Sequence, residues 1–131
     1  MNIIPPADRT IFKGEIADYW VEDDGILVSL SKNPRRTVAN ITANVALVRS
    51  ITNNKKAPLL IYLSNSPIPD SETRKFVNKV LPETYSAMAM VSKPGLAQFI
   101  MNFLFSFRKP PIPMKSFSDD KLAREWLRKY L

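Results

Sequence analysis

The chain predicts a single α/β domain with a mixed, mostly parallel sheet, and three observations carry that reading. Two strand-like runs meet at Asp23-Asp24-Gly25, and an Asp-Gly step is a hairpin signal because Gly accepts positive φ. The run "PLLIYL", residues 58 to 63, is apolar throughout and of strand length, as expected of a strand covered on both faces. Beyond the hairpin, helical spacing and short strand-like runs alternate, and such alternation calls for parallel strands joined by right-handed crossovers. A length of 131 residues with 45% hydrophobic content suits one core, so one domain is expected.

The elements follow in order. Residues 1 to 12 hold two prolines without a repeated period and read as an N-terminal arm whose Ile3, Ile4 and Phe12 could dock on a domain spanning 13 to 131. Strands are expected at about 14 to 21 and 25 to 31. From Thr37 the apolar residues Val38, Ile41, Val45 and Val48 recur at three and four, giving a helix at 37 to 52 with Thr37 as cap and Asn53-Asn54 as its end. Strand 58 to 63 comes next. Phe76, Val77, Val80 and Leu81 then mark a helix at 71 to 81, which Pro82 should close. "YSAMAMVS", 85 to 92, alternates bulky and small residues as a strand, and Pro94-Gly95 leads into a Phe-rich helix at 95 to 108. "PMKSF", 113 to 117, is strand-sized, and Ser118 with Asp119-Asp120 caps a last helix, 119 to 130, with Leu122, Trp126, Leu127 and Tyr130 on one face. The expected order is β-β-α-β-α-β-α-β-α.

The inventory of side chains narrows the chemistry. There is no Cys and no His, which excludes disulfides, thiolate nucleophiles, imidazole bases and the zinc sites built on those groups. A serine nucleophile at Ser64, Ser66 or Ser71 would need a Lys base, and no diagnostic spacing supplies one. An enzyme is therefore not the expected class, and neither metal nor cofactor is expected. The formal charge is +7, from 19 Lys and Arg against 12 Asp and Glu. The cations stand as scattered pairs at element ends, without a recognition motif or a stacking set, so nucleic acid is not an expected partner. The start "MNIIPPADRT" lacks a secretory pattern and 96 to 107 is too short and too interrupted to span a bilayer, so a cytoplasmic protein without a membrane span is expected.

Three passages resemble the small SpoIIAA-like or STAS domains, in particular an uncharacterised bacterial branch of them: "YWVEDDGILVSLS", "APLLIYLSNSPIPDSETRKF" and "FLFSFRKPPIPMKSFSDDKLAREWL". The resemblance covers about 13 to 131 and implies successive βα units coiling around one sheet. It also implies a non-enzymatic protein-interaction module of regulatory, anti-sigma-factor-antagonist-like type. Members of that type carry an Asp-Ser pair at the helix after the central strand, and a kinase phosphorylates the Ser. Asp70 and Ser71 fall on that pair, with Glu72 and Thr73 standing where small residues are usual.

Each candidate site has a plainer reading beside it. Asp70 or Ser71 caps a helix, or else Ser71, with Ser64 and Ser66 on the preceding loop, forms a regulated interaction surface. Leu96, Phe99, Ile100, Phe103, Leu104 and Phe107 make a core stripe, which leaves Met101 and Phe105 as an apolar strip for another protein, a weak homodimer or a ligand. Tyr19, Trp20, Trp126 and Tyr130 could line a pocket, but they read first as core aromatics. Asp23-Asp24 and Asp119-Asp120 sit at a turn and a helix start and are assigned no chemistry. The alternative function is a carrier or binder of a small apolar or lipid-like molecule. Cavity volume separates that alternative from an interaction module, since a close-packed core would leave a ligand no room.

Overall fold

The computed structural model describes residues 3 to 92 and 110 to 131. Its first feature is the expected hairpin: β2, Ala17–Val21, pairs antiparallel with β3, Leu27–Ser31, with Trp20 opposite Val28. The turn closes where Gly25 adopts φ 98° and donates its N–H to the Glu22 carbonyl at 2.9 Å. A short β1, Phe12–Lys13, extends the sheet by pairing with β2, so the arm contributes a strand of its own. Ile3 and Ile11 pack on the core while Ile4 stays 81% exposed.

The first helix, α1, spans Val38–Thr52. Thr37 Oγ1 accepts from the Asn40 N–H at 3.1 Å and Asn40 Oδ1 accepts from the Thr37 N–H at 2.8 Å, a reciprocal cap that satisfies two backbone donors. It ends where Asn53 and Asn54 turn left-handed, at φ 54° and 63°. The apolar run forms β4, Ala57–Tyr62, which pairs in parallel with β3 on one side and with Tyr85–Val91 on the other. Then come α2, Ser71–Thr84, β5, Tyr85–Val91, and β6, Met114–Phe117. Helix α3, Asp120–Leu127, runs on into a 3-10 turn, Arg128–Tyr130.

The six strands lie in chain order, β1-β2-β3-β4-β5-β6, the first two junctions antiparallel and the last three parallel. The fold is thus α/β with a mixed, mostly parallel sheet, as the sequence predicts. Alternation along the strands divides the core. Tyr19, Leu27, Leu59 and Met88 pack on one face with Val48 of α1 and Leu81 of α2. Trp20, Val28, Leu60, Ala87 and Ala89 pack on the other with Ala123 and Leu127 of α3. The small side chains of Ala87 and Ala89, both fully buried, leave space for α3 to settle close to the sheet.

Three details depart from the sequence reading. Pro82 does not close α2, which runs on to Thr84. A proline already has helical φ, and Thr84 Oγ1 donates to the Val80 carbonyl at 2.8 Å while the Tyr85 N–H donates to Leu81 O, so the last turn stays bonded without the missing N–H. Leu122 lies 54% exposed, because Ala123 and Leu127 hold the centre of the buried face of α3. Asp119, rather than Ser118, caps α3 by accepting from the Lys121 N–H at 2.8 Å. The expected helix at 95 to 108, with Met101 and Phe105, lies outside the described residues. Among the described residues no helix is long and apolar enough to cross a membrane.

Candidate functional site

A cavity of about 150 Å³ lies between the α1/α2 layer and the sheet. Its walls come from alternate positions of the strands, since Ala17, Tyr19, Ser29, Leu59, Ile61 and Met88 share one face, and from Ile41, Asn44 and Val45 on α1 and Val77, Val80 and Leu81 on α2. Its solvent-facing end is framed by Ser31, Arg36 and Arg74 with residues 66 to 69, the loop that leaves the carboxyl end of β4. The lining is mainly apolar, which is the composition of small-molecule sites.

That loop is pinned at several points. Ser64 Oγ donates to the Lys32 carbonyl at 2.7 Å and lies 3.1 Å from Ser31 Oγ. Arg35 donates to Ile68 O at 3.0 Å and Arg74 to Pro69 O at 2.6 Å. Asp70 then caps α2, accepting from the Thr73 N–H at 2.8 Å, and this bond holds its carboxyl below the usual range, with Arg35 and Arg74 adding to the effect. Ser71 is the first residue of α2 and is exposed. Of the four predicted site residues near the loop, Ser64 is thus a pin, Ser66 lines the cavity, Asp70 is the cap and Ser71 alone presents a free face.

Polar groups are few inside the cavity and they converge. Asn44 Nδ2 donates to the Tyr19 hydroxyl at 2.7 Å. Burial pushes the Tyr19 pKa up against that bond and against contacts from Tyr85 and Ser29, and it pushes Tyr85 well above its ordinary value. Arg36 spends four donors on neutral oxygens, those of Lys32, Pro34, Ile16 and Ser31, and burial lowers its pKa. Asn44 Oδ1 is buried and has no hydrogen-bond partner among the described residues. Asp18 Oδ1 shares that condition, but the Lys32 ammonium stands 2.9 Å away and compensates it by charge. Among the described residues Asn44 has no such compensation. Neither Asn44 nor Arg36 is marked as a site residue by the sequence alone; an Asn inside the otherwise apolar stripe of α1 is the one signal for the first, and Arg36 reads only as one of a pair of surface cations.

The opposite face of the sheet carries a polar tie between elements. Arg124 of α3 makes a two-pronged pair with Glu22, and Tyr62 of β4 donates to Asp120 Oδ2 at 2.9 Å. Burial, followed by the bond to Asp120, pushes Tyr62 up to about 12. Among the described residues no group of three or more metal-ligating side chains occurs.

Comparison with known proteins gives one family. Residues 19–131 match the model of a family described as a domain of unknown function, DUF7793, and since this is most of its length the chain belongs to that family. No curated protein and no solved structure matches it.

Proposed function

We propose that this member of the DUF7793 family is a non-enzymatic binding module that takes a small, mostly apolar molecule between its helices and its sheet. The observation that carries the reading is the cavity of about 150 Å³, in a domain whose core would otherwise be expected to pack without room for a ligand. Filling it tests the reading. Native mass spectrometry of the purified protein is expected to show a bound small molecule that the Val77→Phe variant lacks. A ligand retained by that variant at unchanged occupancy would place binding elsewhere and sink the idea.

A second reading is a regulatory protein-interaction module of SpoIIAA-like or STAS type, acting in the cytoplasm. It is supported by the succession of βα units, by strands lying in chain order, and by an exposed Ser71 directly after the Asp70 cap. Ile68, 45% exposed on the same loop, supplies an apolar contact beside it. A partner captured from the native host by the wild type, and lost with both Ser71→Glu and Ile68→Asp, would support this reading; capture that survives both changes would reject the loop as the surface. The two readings are compatible, because the loop that would meet a partner also frames the cavity. A weak homodimer through Met101 and Phe105 remains a separate proposal, which sedimentation of the wild type against a Met101→Lys, Phe105→Lys variant tests. A wild type that stays monomeric at high concentration would reject it.

A further inference from the structure

We propose that the cavity takes a compact neutral molecule of the phenol class, one ring carrying a hydroxyl, seated with that hydroxyl on the carboxamide of Asn44. The inference rests on the small-molecule reading above and narrows it to a chemical class.

Size sets the first limit. About 150 Å³ matches a space known to hold a single benzene-sized ring, and it would enclose only part of a fatty acyl chain. A compact molecule is the one this space holds whole.

Charge sets the second. Arg36 is the cation that acts on the Tyr19 hydroxyl, and its four terminal N–H donors already serve four neutral oxygens of the protein, while Arg74 stands at the mouth of the cavity and donates to Pro69 O. A carboxylate would have to displace the bonds that hold the segment from Lys32 to Arg36 against Ile16. A neutral ligand leaves them intact.

The unpaired Asn44 oxygen sets the third. A buried acceptor without a donor is a standing cost, and a ligand that supplies the donor recovers it. A hydroxyl suits this position in either orientation of the amide. It donates to Oδ1 as the side chain stands, with Nδ2 on Tyr19, and it accepts from Nδ2 should the amide turn to take the Tyr19 proton. Neither a hydrocarbon nor an ether serves both arrangements.

The experiment is an amide NMR titration of the full chain with p-cresol and with toluene, repeated on Asn44→Leu. In a cavity without a polar partner the hydroxyl would lose its water for nothing, and toluene would bind more tightly than p-cresol by about tenfold or more. The expected result is the reverse order in the wild type, with p-cresol at least as tight as toluene, and toluene ahead by about tenfold in Asn44→Leu. Toluene ahead in the wild type, or an order that Asn44→Leu leaves unchanged, overturns the hydroxyl assignment while the small-molecule reading survives. No shift of cavity residues with either probe overturns both. Should Asn44→Leu fail to fold, the side-chain amide signals of Asn44 in the wild type replace it: a larger shift with p-cresol than with toluene is expected, and equal shifts overturn the assignment.

Discussion

Arg124 and Glu22 stand 102 positions apart in the chain and meet in a two-pronged ion pair, Nε to Oε1 at 2.7 Å and Nη2 to Oε2 at 3.0 Å. Their side chains are only 23% and 20% exposed, so water screens the pair weakly. Glu22 follows β2 and Arg124 lies on α3, so the pair ties the C-terminal helix to the opening hairpin. Removing the cation alone leaves a largely buried carboxylate without its partner, and Arg124→Met is expected to cost about 1.5–3 kcal/mol. Replacing both partners with Met should cost less than Arg124→Met by itself. Urea midpoints at constant m-value measure this, and a double variant no better than the single one would show that the loss is one of packing.

Asp120 shows how this face responds to acid. Burial works against its charge, but the Tyr62 hydroxyl and Arg124 prevail, and its pKa lies below the ordinary 3.8. A carboxyl depressed in the folded state contributes stability above its unfolded pKa and loses it as pH falls through the folded value. Stability should therefore drop below about pH 4, and the Asp120→Asn curve should be flatter there than the wild-type curve. Thermal midpoints from pH 2 to 6 decide it; parallel curves would remove Asp120 from the account.

At the alkaline end the sign reverses. Tyr62 titrates near 12 in the folded chain against about 10 unfolded, because burial and the bond to Asp120 oppose phenolate formation. The folded state holds this proton more tightly, so its contribution is intact below pH 10 and is lost as pH rises toward 12. Absorbance titration near 295 nm should lose a step close to pH 12 in Tyr62→Phe. Persistence of that step would assign it to another tyrosine.

What the sequence made legible is what local chemistry encodes. Thr37 writes a helix start, Asp24-Gly25 writes a turn, and an unbroken apolar run writes a strand covered on both sides. The two-residue β1 carries no period, and its pairing depends on β2 being already in place. Leu122 belongs to the apolar face by spacing, yet the sheet beneath α3 reaches only as far as Ala123 and Leu127. The cavity was least legible of all. Leu59, Ile61, Val77 and Val80 have the same spacing whether their side chains meet or leave a gap, and only the assembled layers show which. Asp70-Ser71 was legible as a capping pair, but which residue caps is settled by the backbone: Asp70 precedes the first helical residue, with φ −68° and ψ 170°.

Gly14 should tolerate no side chain. A Cβ there would lie 2.7 Å from the Ala17 carbonyl oxygen and 2.9 Å from Leu47, and the first of these is backbone of the adjoining strand. The same residue donates its N–H to Ala17 O at 3.0 Å and accepts from Lys32 Nζ at 2.7 Å, so it cannot shift without loosening β2. Gly14→Ala is expected to destabilise by about 1–3 kcal/mol, the usual range for overpacking. A urea midpoint equal to the wild type would show that the β1–β2 connection moves freely.

The two residues at the start of α2 predict opposite outcomes. Asp70 supplies the capping oxygen to Thr73 N–H, and Asp70→Ala should lower stability through an orphaned donor. Ser71 is exposed at the first helical position, where added negative charge meets the positive end of the helix dipole. Arg35 and Arg74, which already act on Asp70, strengthen the positive field there. Ser71→Glu is therefore expected to leave stability unchanged or raise it by about 0.3–1 kcal/mol, with the gain shrinking as salt is added. Urea unfolding at low and high ionic strength measures both variants. A loss on Ser71→Glu would mean that the hydroxyl itself is structural, and the loop could not then carry a phosphate as a harmless switch.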